Sequence, residues 1–371
     1  MPLRHVMTAV LAAGVLAAGV AQPAGAAPRD PVREQLQQLV DGGFPGALAA
    51  VRDRDGRTRD LTAGVGDLRT GARVPVDGQV RMGSNSKTFV AVAVLQLVAE
   101  RKVDLDSPVD TYLPGLVRGE GIDGRRITVR QLLQHTSGLP NYTEFLDIEN
   151  FADIQHRYME PRELLDLALA HPADFPPGSK WAYSNTNYVV AGLLIQKVTG
   201  RPLAEVLTER VIRRAGLRHT YYPAVGEQSI RERHPHGYHP DATGELRDVT
   251  TLDPSWAWAA GQMVASPTDL NKFFRALLGG RLLPAAMLAQ MRTTVAADEI
   301  APGAGYGLGL ISIPLSCGGV AWGHGGDIPG YETRGGVTED GRAATVAVTS
   351  VPAGEAQADQ VMKAMDTALC A

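Results

Sequence analysis

Three short stretches of the sequence carry residue types that could do chemistry together. Met82-Gly83-Ser84-Asn85-Ser86-Lys87 holds a serine and a lysine three residues apart, one helical turn and therefore one helix face. A serine hydroxyl is a poor nucleophile until a base takes its proton. A lysine kept away from water loses affinity for its own proton and can serve as that base. The start of a helix adds positive potential where an oxyanion would form. The plain alternative is an N-cap serine followed by a surface lysine. Against it, Lys87 lies in a stretch, residues 86–100, that is otherwise almost wholly apolar (Phe89, Val90, Val92, Val94, Leu95, Leu97, Val98).

The second stretch is Tyr183-Ser184-Asn185, in a loop directly before a helical pattern. A tyrosine near cationic groups can ionise and shuttle protons. The Asn185 amide can donate to a substrate carbonyl and accept from Lys87. The alternative is an Asx-capped helix start with a packing tyrosine. The third is Gly323-His324-Gly325-Gly326-Asp327, after a strand near the C-terminus. Its glycines let a ligand backbone approach closely, and an edge strand there could pair with an extended peptide. A tight turn with a surface histidine is the alternative. Each stretch alone is a weak signal. Their order, Ser-x-x-Lys, Tyr-x-Asn, His-x-Gly, spread over the first, middle and last parts of the chain, is stronger.

The elements that must position them follow from periodicity. Residues 31–40 read as a helix with Val32, Leu36 and Val40 on one face. Residues 47–52 and 59–65 flank Asp55-Gly56 as a β-hairpin. Residues 86–100 form a helix that is apolar around most of its circumference, hence buried. Helices are expected at 128–134, 161–170, 187–199 and 202–211, the last opened by Pro202. Strands are expected at 306–313, 320–322, 331–337 and 343–349, and a closing helix at 355–369. The fold class is therefore α+β. One antiparallel sheet is assembled from both ends of the chain and flanked by helices, with an all-helical insert at about residues 105–300. Clefts form at such junctions.

The chain has 371 residues, 44% hydrophobic and 20% charged, with a formal net charge of −4. This is ordinary globular composition with no basic stripe, so nucleic acid is not an expected partner. Arg4 and His5 precede an apolar run from Val6 to Val20 and a small-x-small site, Ala24-Gly25-Ala26. Residues 1–26 read as a secretory signal, leaving 27–371 as a single secreted domain. The run is short for a membrane span. Arg4 is the one charged side chain within residues 1–26, so its removal takes the net charge from −4 to −5. In an oxidising compartment the only two cysteines, Cys317 and Cys370, could pair and tie the last helix to a C-terminal strand; two buried thiols are the alternative. The run His234-Pro235-His236-Gly237-Tyr238-His239 lacks ligand spacing, so neither metal nor cofactor is expected.

The three stretches together resemble the serine β-lactamase and penicillin-binding superfamily, whose enzymes carry the same kind of triplet. The sequence is most similar to soluble secreted actinomycete D-alanyl-D-alanine carboxypeptidases, and next to class C β-lactamases and esterase relatives. The likeness extends through Arg81-Met82-Gly83-Ser84, Ile127-Thr128-Val129-Arg130-Gln131-Leu132-Leu133, His135-Thr136-Ser137-Gly138-Leu139, Gly305-Tyr306-Gly307-Leu308-Gly309-Leu310 and Ser316-Cys317-Gly318. It implies an acyl-enzyme at Ser84, proton handling by Lys87 and Tyr183, and Asn185 on the acyl amide. It implies His324 where most relatives carry lysine, and an oxyanion hole from the backbone N–H groups of Ser84 and Asp327. Trp256 would line the cleft, Gly325, Gly326 and Asp327 would border the substrate, and a Cys317–Cys370 disulfide also fits that branch. The substrate would be a small molecule or D-amino-acid peptide, ester or β-lactam; an esterase, a weak β-lactamase and a non-catalytic peptidoglycan-binding protein are the other readings. Three positions depart from the carboxypeptidases. Gly325 replaces a threonine that helps hold the substrate's terminal carboxylate, Asp327 replaces a small hydroxyl residue, and Ile311 stands where an arginine binds that carboxylate. Asp327 would repel a carboxylate unless Arg334 compensates.

Overall fold

In the computed structural model, residues 30–146, 148 and 151–371 are described; the expected signal, residues 1–26, lies outside them. Helix α1 (Pro31–Asp41) turns Val32, Leu36 and Leu39 inward. Leu39, not Val40, completes the buried stripe, since a 3.6-residue period brings position i+7 rather than i+8 back onto the line from Val32. Strands β1 (Gly46–Arg52) and β2 (Thr58–Asp67) form the expected hairpin, followed by the two-residue β3 (Ala72–Arg73). Helix α2 (Asn85–Ala99) is buried from Asn85 to Leu97. Each fully buried valine, leucine or phenylalanine there contributes about 2 kcal/mol.

The helical region contains α3 (Val129–Leu133), closed at its start by a Thr128–Gln131 capping box. It also contains α4 (Pro161–Leu169) and α5 (Thr186–Thr199). Residues 203–215 are helical throughout but pass through a π-turn at Thr208–Ile212. Helix α6 (Pro267–Leu278), unforeseen from periodicity, is capped by Ser266, whose side chain accepts from Asp269 N. It packs on the sheet, so sheet cover begins inside the range expected for the insert.

The C-terminal strands are β4 (Val295–Ala296), β5 (Gly305–Tyr306), β6 (Ile311–Pro314), β7 (Val320–Gly323), β8 (Gly326–Ile328), β9 (Tyr331–Thr338) and β10 (Ala343–Val348). The strand expected at 306–313 is two strands, β5 and β6. Gly307 N bonds back to Leu310 O, while Leu308 N and Gly309 N go to Met291 O and Leu133 O. Those peptide groups are therefore spent on a turn and on neighbouring elements, not on a ladder. The sheet runs β4-β5-β6-β7-β9-β10-β1-β2-β3, all antiparallel, with β8 added to β9. Pairing of Ala47 with both Val348 and Ala63 seats the N-terminal hairpin beside the last strand. One core lies between the sheet and the helical region. The other lies under α1 and α7 (Glu355–Cys370). Cys317, in the β6–β7 turn, is bonded to Cys370 at the end of α7 with Cα atoms 5.7 Å apart.

Candidate active site

Ser84 stands at the N-terminus of α2 in helical conformation, and its side chain makes no cap hydrogen bond. The N-cap alternative therefore fails. The first turn behind it is pinned. Asn85 Nδ2 donates to Met82 O and to Thr333 Oγ1 on β9, Ser86 Oγ to Gly83 O, and Thr88 Oγ1 to Gly309 O. The surface-lysine alternative fails as well, because Lys87 is fully buried.

Lys87 Nζ has three acceptors: Ser84 Oγ at 2.9 Å, Asn185 Oδ1 at 2.7 Å and Ala260 O at 2.8 Å. The amide and backbone oxygens can only accept. A neutral amine has two N–H groups and one lone pair, so once those oxygens take both hydrogens the lone pair faces Ser84. Burial holds the Lys87 amine well below the usual lysine range, with Asp327 pulling weakly the other way. Isolated burial of an ammonium costs several kcal/mol, and this is what favours the neutral, basic form.

Tyr183 is partly buried beside Ser84. Lys87 Nζ lies 4.9 Å from its ring centroid. Desolvation raises the phenol, and the Ser84 side chain opposes that. Its protonated form is therefore the resting one, and the expected ionised shuttle is not the ground state. Asn185 accepts from Lys87 as expected. Its amide nitrogen, however, reaches Asn141 Oδ1 and Thr143 Oγ1, both at 3.2 Å. Asn141 Oδ1 also takes the Asn185 backbone N–H at 3.0 Å. Asn141 and Thr143 were not foreseen; the only sequence cue is their place just after His135-Thr136-Ser137-Gly138-Leu139.

His324 does not reach into the cleft as a surface group; it is 3% exposed. Nε2 faces the Tyr306 hydroxyl at 3.0 Å and Nδ1 faces Gly325 O at 2.6 Å. Burial pushes its imidazole down to about 3, so the ring is neutral.

Two glycines bring α2 and β8 together. A Cβ on Gly326 would stand 2.0 Å from Met82 O and 2.8 Å from Ser84 N. One on Gly83, whose φ is +50°, would stand 2.8 Å from Asp327 N. Only bare backbone allows the Ser84 and Asp327 amides to share one corner.

Arg334 offsets the charge of Asp327 but is not left free to hold a substrate carboxylate. Its Nη1 lies 2.6 Å from Asp327 Oδ1, and Nη2 lies 2.9 Å from Glu332 Oε1. Glu332 is fully buried and its oxygens lack a well-directed hydrogen bond; burial pushes its carboxyl up to about 7. A Cβ on Gly325 would meet Arg334 Nη1 at 3.0 Å, so the missing threonine side chain is replaced by the arginine itself. Ile311 is buried on β6. Trp256 is buried and lines, with Ser84, Tyr142, Ile148, Asn185 and Asp327, a cleft of about 260 Å³. The histidine run disperses: His236 faces Asp248, His234 its own Glu232 carbonyl, and His239 the backbone of Ile148.

An antiparallel sheet built from both chain ends, with a buried Ser-x-x-Lys at the start of a central helix, is the architecture of the serine β-lactamases and penicillin-binding proteins. The sequence matches the Beta-lactamase family over residues 32–367, and the chain belongs to that family, a family of serine hydrolases. It is 30% identical over 285 residues to penicillin-binding protein 4 of Amycolatopsis lactamdurans, covering 72% of this chain and 71% of that one. Among solved structures it is similar to a D-stereospecific amidohydrolase from Streptomyces sp., 42% identical, with a TM-score of 0.83 over 90% of this chain and 97% of that one. It is also similar to the D-amino acid amidase from Ochrobactrum anthropi SV3 complexed with L-phenylalanine amide. That protein is 28% identical, with a TM-score of 0.81 over 91% and 96% of the two chains. Among the described residues no helix is long and apolar enough to cross a membrane.

Proposed function

We propose that this chain is an exported amidohydrolase that forms an acyl-enzyme at Ser84 on small D-amino-acid amides or peptides. The observation that carries the reading is the Lys87 amine, desolvated and aimed at Ser84 Oγ from 2.9 Å. Lys87 takes the serine proton as Oγ attacks the substrate carbonyl. The Ser84 and Asp327 backbone N–H groups receive the developing oxyanion. The Tyr183 hydroxyl, beside Ser84, passes a proton to the departing amine and recovers one from water when the ester is hydrolysed, while Lys87 returns its proton to Ser84 Oγ. The acyl group occupies the cleft beside Trp256 and Tyr142.

The D-Ala-D-Ala carboxypeptidase reading is less well supported. Its leaving group carries a carboxylate. Here Arg334 already serves two carboxylates, and His324 is neutral. A neutral leaving group such as ammonia meets no such repulsion. The names of the two structural neighbours agree with this preference. Export is supported by the apolar leader-like segment and by the disulfide.

The test is a substrate panel with the purified mature protein and its Ser84→Ala variant, with mass spectrometry after exposure to a fluorescent penicillin. The expected result is a covalent adduct at Ser84, absent from the variant, with D-amino-acid amides turned over faster than D-Ala-D-Ala peptides. No adduct and no turnover of amide, peptide or p-nitrophenyl ester would sink the reading. Ester hydrolysis alone would make the protein an esterase, and peptide binding without turnover a binding protein.

A further inference from the structure

Behind the site a chain of hydrogen bonds joins two of the motif-bearing segments. It starts at the Ser184 backbone N–H, between Tyr183 and Asn185, 3.1 Å from His135 Nδ1. Asn187 Nδ2 reaches the same nitrogen at 3.0 Å. A backbone N–H can only donate, so Nδ1 holds a lone pair and the proton of a neutral ring sits on Nε2. Nε2 lies 3.1 Å from the Tyr306 hydroxyl oxygen and donates to it. Tyr306 then directs its own proton to His324 Nε2, 3.0 Å away. This leaves Nδ1 of His324 as the protonated nitrogen, and 2.6 Å from it is the Gly325 carbonyl, which can only accept. An obligate donor at one end and an obligate acceptor at the other thus agree on every intervening proton.

Both rings are buried, which disfavours their protonation, and Arg334 adds to this for His324. His135 also sits at φ +60°, a left-handed backbone that is strained for a non-glycine residue, which suits a residue held to present its ring. Neither His135 nor Tyr306 is assigned a role above.

We infer that His135 and Tyr306 are positioning residues that lock His324 as a neutral Nδ1–H imidazole and register the Tyr183–Asn185 segment against the Gly325–Asp327 strand. Through this chain the loop before α5 and strand β8 keep their spacing while an acyl group forms and leaves. His324 is then a structural dipole in the resting enzyme, not a proton carrier. The kinetic part of this inference rests on the acyl-enzyme reading; the tautomer part does not.

The test is ¹⁵N NMR of histidine-labelled protein at neutral pH, with ring signals assigned through His135→Gln and His324→Gln variants. The expected result is opposite tautomers, Nε2–H on His135 and Nδ1–H on His324. The same tautomer on both, or a charged His324, overturns the inference. Tyr306→Phe removes both central bonds. It is expected to release the fixed His324 signature and to lower kcat on the best substrate about a hundredfold, with KM changed less than about twofold, the pattern of lost alignment. Unchanged kcat, or a rise in KM alone, would count against it. If that variant fails to fold, the wild-type spectrum still decides. A wild-type protein that turns over nothing would remove the acyl-enzyme reading without touching the tautomers.

Discussion

Charge at individual residues sets the character of this cleft. Lys87 is useful because it is buried; Glu332 is the price of the same dryness. Its carboxyl is raised from 4.5 to about 7 by burial, with Arg334 pulling it down and Asp327 pushing it up. A carboxyl with a raised folded pKa gives stability that is fully present below its unfolded value and is lost as pH rises through the folded one. The Glu332 contribution is therefore lost between about pH 5 and pH 8, so the wild-type melting temperature is expected to fall relative to that of Glu332→Gln across this range. Glu332→Gln, which stays neutral, should not share that step. Melting temperatures of the two proteins across this range check it; parallel curves would refute the assignment. Lys87 and Ser84 were readable as candidates from residue type and spacing once the other two stretches joined them. Glu332 was not, because nothing in Tyr331-Glu332-Thr333-Arg334 says which strand face is dry.

At the scale of elements, the site is the seam between α2 and strand β8. The Met82–Ser84 turn and Gly326 meet backbone to backbone, and a single methyl is too much. Gly326→Ala would put a Cβ 2.0 Å from Met82 O and push β8 off α2. The expected result is a loss of at least about a hundredfold in turnover, the scale of one lost oxyanion donor. A stability cost of about 1–3 kcal/mol from overpacking should accompany it. Retained turnover with normal folding would show that the two amides need not be so close. Helix α2 was legible because its apolar residues surround it. Helix α6 was missed although Ser266-Pro267-Thr268-Asp269 is a good capping signature. Strand β8 was missed because three residues paired to a neighbour leave no periodicity to detect. The fusion of β5 and β6 into one expected strand had the same origin: alternation continues across the turn, and only the hydrogen bonds of residues 307–309 break it.

For the whole molecule, one sheet is shared by chain ends about 300 residues apart, as in Ala47 beside Val348. Such closure is entropically costly, and the Cys317–Cys370 bond shortens the free chain at one end. With the cysteines 53 positions apart in sequence, the loop-entropy estimate is about 4 kcal/mol. Replacing both cysteines by serine should lower the melting temperature by several degrees while leaving kcat within about twofold, since the bond lies in the β6–β7 turn and α7 and touches no reacting group. A calorimetric scan with a parallel activity assay measures both, and an unchanged melting temperature would show that the bond contributes little.

The sequence by itself determined the fold class, the candidate nucleophile and base, the order of the three motifs and the candidate cysteine pair. These depend on residue type, short spacing and periodicity, all of which are local. Tertiary structure alone decided who neutralises whom: that Arg334 is spent on Asp327 and Glu332, that Asn185 is held by Asn141 and Thr143, and that His324 answers to Tyr306 and not to Ser84. Those pairings join residues far apart in the chain, and their energies turn on burial and on ångström-scale distance. No linear pattern carries either quantity.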